Sequence, residues 1–205
     1  TGGYGKQQNE AKLWDHYWPS ADQPMPDPQW PKGAQAKRGT NGYLYSKPIA
    51  TGKSTAGRPP HFFDWGPDAQ PESGTADHKV VDWAAAELKK PRKQPFFHAV
   101  GIFRPHIPWY APQKYFTLYP EKNVFLPKIK ENDLEDVPKP GQYGIRKQWH
   151  KWLLDNNEWR GAIRGYLASI SFADAQVGRL LDALDESPHA KNTIVVLWSD
   201  HGMHI

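Results

Sequence analysis

The chain of 205 residues contains no cysteine. Disulfides, thiolate metal sites and a cysteine nucleophile are therefore excluded within it, and redox compartment cannot be read from it. No apolar run approaches the length of a membrane span. Net charge is also small. Lys and Arg number 26 against 22 Asp and Glu, a formal net charge of +4. The only local basic runs, residues 89–93 and 146–147, read as solvated linkers rather than the dense stripe that nucleic-acid binding needs. No secretory signal pattern and no internal repeat is visible. The opening Thr1-Gly-Gly-Tyr-Gly reads as mid-loop, and the chain stops three residues after Gly202, so a fragment of a longer polypeptide is expected.

What is present is unevenly distributed. Residues 1–75 are rich in Pro, Gly and Trp; Pro24, Pro26, Pro28 and Pro31 exclude a regular helix there. Ten tryptophans argue for an irregular but packed insertion rather than disorder. Most should serve core or loop packing, with a sugar-stacking platform as the alternative. Residues 77–90 predict a helix capped by Asp77, with Val80, Val81, Ala84 and Leu88 on one face. Residues 94–103 and 193–198 are continuous apolar runs of strand length, which predicts buried strands covered on both faces. Prolines 105, 108 and 112 predict an extended loop after the first. Residues 113–157 read as loop with short helical pieces, among them 114–119. Residues 158–186 predict the longest helix, with Ile163, Tyr166, Leu167, Ile170, Ala173, Val177, Leu180, Leu181 and Leu184 at helical spacing and Ser187-Pro188 ending it. The order strand, loops, long helix, strand predicts an α/β fold.

Chemistry-bearing residues collect at the ends of the expected strands. Asp200 and His201 fall at the carboxyl end of the run 193–198, the edge where open α/β sheets bind ligands. An oxygen donor beside a nitrogen donor, followed by Gly202, suits a metal-supported hydrolytic site; a polar strand end is the competing reading. His106 lies between two prolines, where a stiffly held imidazole can donate to an anion; satisfaction by local backbone competes. Arg104 offers charge-assisted bonds to an anion or simply a surface charge. Asp174, on the long helix, is expected to be a buried structural partner, and His204 to belong to a frayed end. The run Ser54-Thr-Ala-Gly-Arg58 mimics a nucleophile motif but is too weak, and too near the first expected strand, to be one.

Five stretches together carry a resemblance. They are Phe63-Asp-Trp-Gly-Pro67 with the helix that follows, residues 95–109 with Arg104-Pro-His106-Ile-Pro, Tyr115-Phe-Thr-Leu-Tyr-Pro120, residues 166–184, and Ser199-Asp-His-Gly202. The chain resembles the sulfatase family of the alkaline-phosphatase-like superfamily, in its iduronate-2-sulfatase and choline-sulfatase-like group. That resemblance implies an α/β sandwich with a central, mostly parallel sheet flanked by helices, incomplete in this chain. It implies an irregular insertion over 1–75 and the central part of the catalytic domain over 76–205. It implies a sulfuric ester hydrolase acting on a sulfated small molecule or sulfated carbohydrate, with one divalent metal, calcium. By resemblance, Asp200 is a metal ligand, His201 a metal ligand or sulfate contact, His106 the catalytic group that hydrogen-bonds the sulfate, and Arg104 the basic residue of the same motif. No nucleic acid and no membrane span is implied; the partner is the remainder of the same polypeptide, and the compartment is periplasmic, secreted or lysosomal.

The family's formylglycine motif, its early Asp pair, its Gly-Lys-x-x-His segment and a later lysine are absent from the 205 residues. Formylglycine is therefore expected outside this chain, and the chain alone should be inactive. Two other readings remain: a two-zinc phosphodiesterase or phosphatase of the same superfamily, and a non-catalytic sulfated-glycan-binding module.

Overall fold

A computed structural model of the chain describes residues 14–18, 63–68, 70–142, 145 and 147–203. The expectations for His204, Trp30 and residues 54–58 lie outside that set.

The α/β class holds, built around a small parallel sheet. Strand β1 (Trp65–Asp68) pairs in parallel with β2 (Trp109–Pro112), Trp65 opposite Trp109 and Pro67 opposite Ala111. Five helices follow or flank it: α1 (Ala76–Leu88), α2 (Gln113–Thr117), α3 (Lys139–Gln142), α4 (Lys147–Asp155) and α5 (Trp159–Asp185). Neither strand was expected. Each is four residues long and contains a proline, and β1 also contains a glycine, so local propensity argues against both. Tertiary packing decides instead. Trp65 and Trp109 are buried with Phe63 in one aromatic cluster, Phe63 lying edge-on to both rings at 5.7 and 5.5 Å.

The expected strands are not strands. Residues 94–103 and 193–198 run without ladder partners among the described residues. Phe97 is 80% exposed, Ile194 92% and Trp198 89%. Apolarity marks a segment that needs covering; it does not supply the neighbouring strand that would satisfy its N–H and C=O groups.

Helix α5 runs within a residue of its expected bounds; of its expected face Ile163 and Leu184 are buried and Tyr166 and Leu167 pack against the core, but the buried stripe is centred on smaller residues. Ala162, Gly165, Ala168, Ser169, Phe172 and Gln176 are buried, while Ile170 and Leu181 are exposed. The small residues admit close contact with the sheet: a Cβ on Gly165 would come within 2.5 Å of Trp65 Cβ and 3.4 Å of Trp109 Cβ. Asp174, expected to be buried, is exposed, because it lies off that small-residue face.

Helix α1 is also displaced at its start. Thr75, not Asp77, is its N-cap, with Thr75 Oγ1 accepting from His78 N at 3.3 Å. Just before it, Glu72 accepts from Lys114 Nζ at 2.5 Å, Gln176 Nε2 at 2.9 Å and Tyr115 Oη at 3.2 Å. That clasp ties the start of α1 to α2 and α5. In the basic run after α1, expected to be a solvated linker, Lys90 and Arg92 both pair with Glu87. Of the other tryptophans, Trp152 and Trp159 are buried; Trp14 stacks on Phe97 and Trp18 on Trp83.

Candidate functional site

The turn between residues 103 and 109 is held from several sides. Asp77, at the second position of α1, is only 5% exposed. Its Oδ1 accepts from Phe103 N at 2.8 Å and its Oδ2 from Arg104 N at 3.1 Å. Arg104 is buried, which corrects the surface reading, and its Nε donates to Tyr110 O at 2.7 Å. The buried Tyr110 hydroxyl donates in turn to Asp64 Oδ2 at 2.5 Å. Trp109 Nε1 donates to Pro105 O at 2.9 Å, and Trp109 N to Asp64 O at 2.9 Å. The Arg104–Pro105 and Ile107–Pro108 peptide bonds are cis.

His106 stands exposed on this turn. Its backbone N–H donates to Phe103 O at 3.0 Å and its ring lies 4.7 Å from that of Phe103. Nδ1 lies 2.6 Å from Ile107 O. A carbonyl oxygen only accepts, so Nδ1 carries the proton and Nε2 is left for a ligand. Nε2 can then donate to an anion only when the ring is doubly protonated.

Burial pushes the Asp77 carboxyl upward from its usual range, opposed by the Arg104 guanidinium and the two backbone N–H groups. Glu72 goes the other way. Burial acts to raise it, but the hydrogen bonds from Lys114, Gln176 and Tyr115, with the Lys114 charge, outweigh burial and hold it below the usual glutamate range.

The loop at residues 199–203 is anchored lightly. Asp200 and His201 side chains are 87% and 65% exposed. Asp200 Oδ1 accepts from His201 N at 2.9 Å, His201 Nε2 lies 3.5 Å from Asp200 Oδ2, and Ser199 Oγ donates to His201 O at 2.7 Å. Met203 ties it to the core: its N–H donates to Tyr166 Oη at 3.2 Å and its side chain packs against the aromatic cluster. Tyr166 packs on Trp109 with ring centroids 5.4 Å apart. The two motifs therefore attach to opposite ends of one Tyr166–Trp109 pair: Trp109 holds the peptide before His106, and Tyr166 holds the residue after Gly202.

Among the described residues, no three His, Asp or Glu side chains gather closely enough to hold a metal ion. Asp200 is the hard oxygen donor on offer and His201 the neighbouring nitrogen donor. A calcium ion takes roughly six to eight oxygens, so these residues fit as part of a coordination sphere and not as the whole of it. The residues that carry the turn, Asp77, Asp64, Tyr110, Trp109 and Tyr166, were not singled out from sequence as site residues. An aspartate two residues after a threonine at a helix start reads as a cap, and nothing local shows that it reaches a chain segment 26 residues away.

Comparisons with known proteins cover most of the chain. The Sulfatase family model matches residues 11–205. A sulfatase of Formosa agariphila is 46% identical over 147 residues, 69% of this chain and 29% of its own length. Human iduronate 2-sulfatase is 35% identical over 147 residues, covering 64% of this chain and 26% of that protein. A choline-sulfatase of Rhizobium meliloti is 26% identical over 111 residues, 54% of this chain and 22% of that protein. The chain thus spans under a third of the length of these relatives. With the family model matched across 195 of the 205 residues (11 through 205), the chain belongs to the sulfatase family.

Proposed function

We propose that the polypeptide containing these residues hydrolyses sulfate monoesters by cleaving the S–O bond. The observation that carries this reading is the turn: an exposed imidazole with one free ring nitrogen, on backbone fixed from below by buried groups. Catalytic donors work when they are pre-positioned and need not reorganise as charge develops. His106 holds a sulfate oxygen through Nε2 while charge moves toward the leaving alcohol. Arg104, its Nε committed to Tyr110 O, acts through its charge rather than by direct contact.

Asp200 supplies an anionic oxygen to a divalent ion, calcium in this reading, and His201 completes that edge as ligand or sulfate contact. When bound, such an ion neutralises charge on the sulfate and orients the nucleophile. The nucleophile in this reading is a formylglycine outside residues 1–205, and the remaining metal ligands also come from elsewhere in the polypeptide. Relatives named iduronate 2-sulfatase and choline-sulfatase support a sulfated carbohydrate or sulfated small molecule as substrate. A periplasmic, secreted or lysosomal location is part of the same proposal; no helix among the described residues is long and apolar enough to cross a membrane.

The test is His106→Ala in the full-length enzyme. Turnover of an aryl sulfate should fall about 10²–10³-fold, the usual loss for one pre-positioned donor. Unchanged turnover would remove His106 from the chemistry. Metal analysis of the same preparation should find calcium, whereas two zinc ions per chain would move the reading to a phosphodiesterase.

A further inference from the structure

We propose that Asp77 is a positioning residue for this reaction: its buried carboxylate grips two successive backbone N–H groups, Phe103 and Arg104, and so sets where His106 presents its ring. The proposal rests on the function proposed for His106.

The His106 side chain cannot hold itself in place. It is exposed, and its ring meets Ile107 O and the Phe103 ring. Its position follows from the backbone beneath. That backbone is closed by His106 N donating to Phe103 O, so whatever fixes residue 103 fixes the start of the turn. Residues 94–103 form no ladder among the described residues, so the sheet does not fix it. Asp77 does, through two bonds spanning 26 and 27 residues of sequence. The same end of the turn is also tied across to β2, by Trp109 Nε1 on Pro105 O and Arg104 Nε on Tyr110 O, while Asp77 holds it to α1.

Helix capping does not explain this aspartate, because Thr75 is the cap. Burial of a carboxylate is costly unless it is paired and hydrogen-bonded. Here the two N–H groups and the nearby Arg104 charge offset part of that cost. In this arrangement each N–H takes its own carboxylate oxygen, Phe103 N on Oδ1 and Arg104 N on Oδ2. An asparagine presents an oxygen to one N–H and an NH₂ group to the other.

Three variants of the full-length enzyme test this. Asp77→Asn should lower kcat for an aryl sulfate about 10–100-fold, the scale expected when a reacting group is displaced by about an ångström. KM should stay within about threefold, since other groups still bind substrate. Amide exchange at Phe103 and Arg104 should accelerate in the same variant. Asp77→Glu keeps the charge one methylene further out and should give an intermediate kcat. Glu72→Gln, which cuts a comparable polar clasp away from the turn, should change thermal stability but not kcat. Should Asp77→Asn fail to fold, Asp77→Glu decides: a lowered kcat at undiminished melting temperature supports the role, and an unchanged kcat overturns it. The proposal is also overturned if Asp77→Asn slows turnover only as far as Glu72→Gln does at equal loss of stability, or if exchange at Phe103 and Arg104 is unchanged. If His106→Ala is fully active while that exchange still accelerates, the functional reading fails and the anchoring stands.

Discussion

The stretch from Arg104 to Pro112 and the stretch from 193 to 203 carry the assigned site residues between them, and they are held in opposite ways. The first is proline-rich and has little regular structure before β2, yet Asp77, Asp64, Tyr110 and Trp109 fix it through buried hydrogen bonds. The second is apolar and strand-like in composition, yet it is exposed, and Met203 on Tyr166 is its named hydrogen-bonded tie to helix α5. Composition placed the second stretch in a buried sheet and the first in an extended loop. What separates them is the supply of partners. Polar side chains from α1 and from the residues before β1 reach the first stretch, whereas the second needs flanking strands, and among the described residues none is there.

The contrast can be broken most severely at Trp109. Its ring is 1% exposed, packs among Phe63, Trp65 and Tyr166, and its indole N–H holds the His106 turn. Trp109→Ala should cost about 3–5 kcal/mol in denaturant unfolding, the range for deleting a large buried aromatic. A loss below about 1 kcal/mol would show that the first stretch is not anchored as described. Tyr166→Phe is a finer cut. It keeps the ring against Trp109 and removes the acceptor for Met203 N, at a net cost of about 0.5–1.5 kcal/mol. The change should appear as faster amide exchange at Met203 with Phe103 and Arg104 unaffected; equal changes at both motifs would mean that they move as one unit.

The smallest expected effect is on pH dependence. Glu72 has a folded carboxyl held below its usual range. Such a group adds stability at pH above its unfolded pKa, and that contribution disappears as pH falls through the lower folded value. Glu72→Gln should therefore flatten the acid limb of a melting-temperature profile while lowering the neutral plateau. An acid limb identical to that of the parent would exclude Glu72 as its source. Asp77 has the opposite sign: burial raises its folded value, so its linkage makes stability decline as pH climbs from the unfolded pKa toward the folded one.

The candidate site is legible in the sequence as motif and little of its surroundings as structure. His106 between two prolines, and Asp200-His-Gly after an apolar run, are visible because residue type and local order carry them. The bounds of α5 were visible because helical spacing is a local periodicity ended by Ser187-Pro188. Its buried face was legible only in part, at Ile163 and Leu184, because whether a helix presents large or small residues to a sheet depends on how near the sheet lies, and Gly165 against Trp65 shows that it lies very near. Asp77 was legible as a helix-start residue and illegible as an anchor, since its partners are separated from it by the whole of α1 and the loop beyond.

Family, α/β class, the bounds of α5 and the identity of the candidate catalytic residues are thus properties of the sequence alone, because they rest on residue type, spacing and order. The pairing of two proline-bearing strands, the burial of Arg104 and the grip of Asp77 on the His106 turn were decided only in three dimensions. Each depends on contacts between segments tens of residues apart, whose worth is set by burial and geometry that no local pattern encodes.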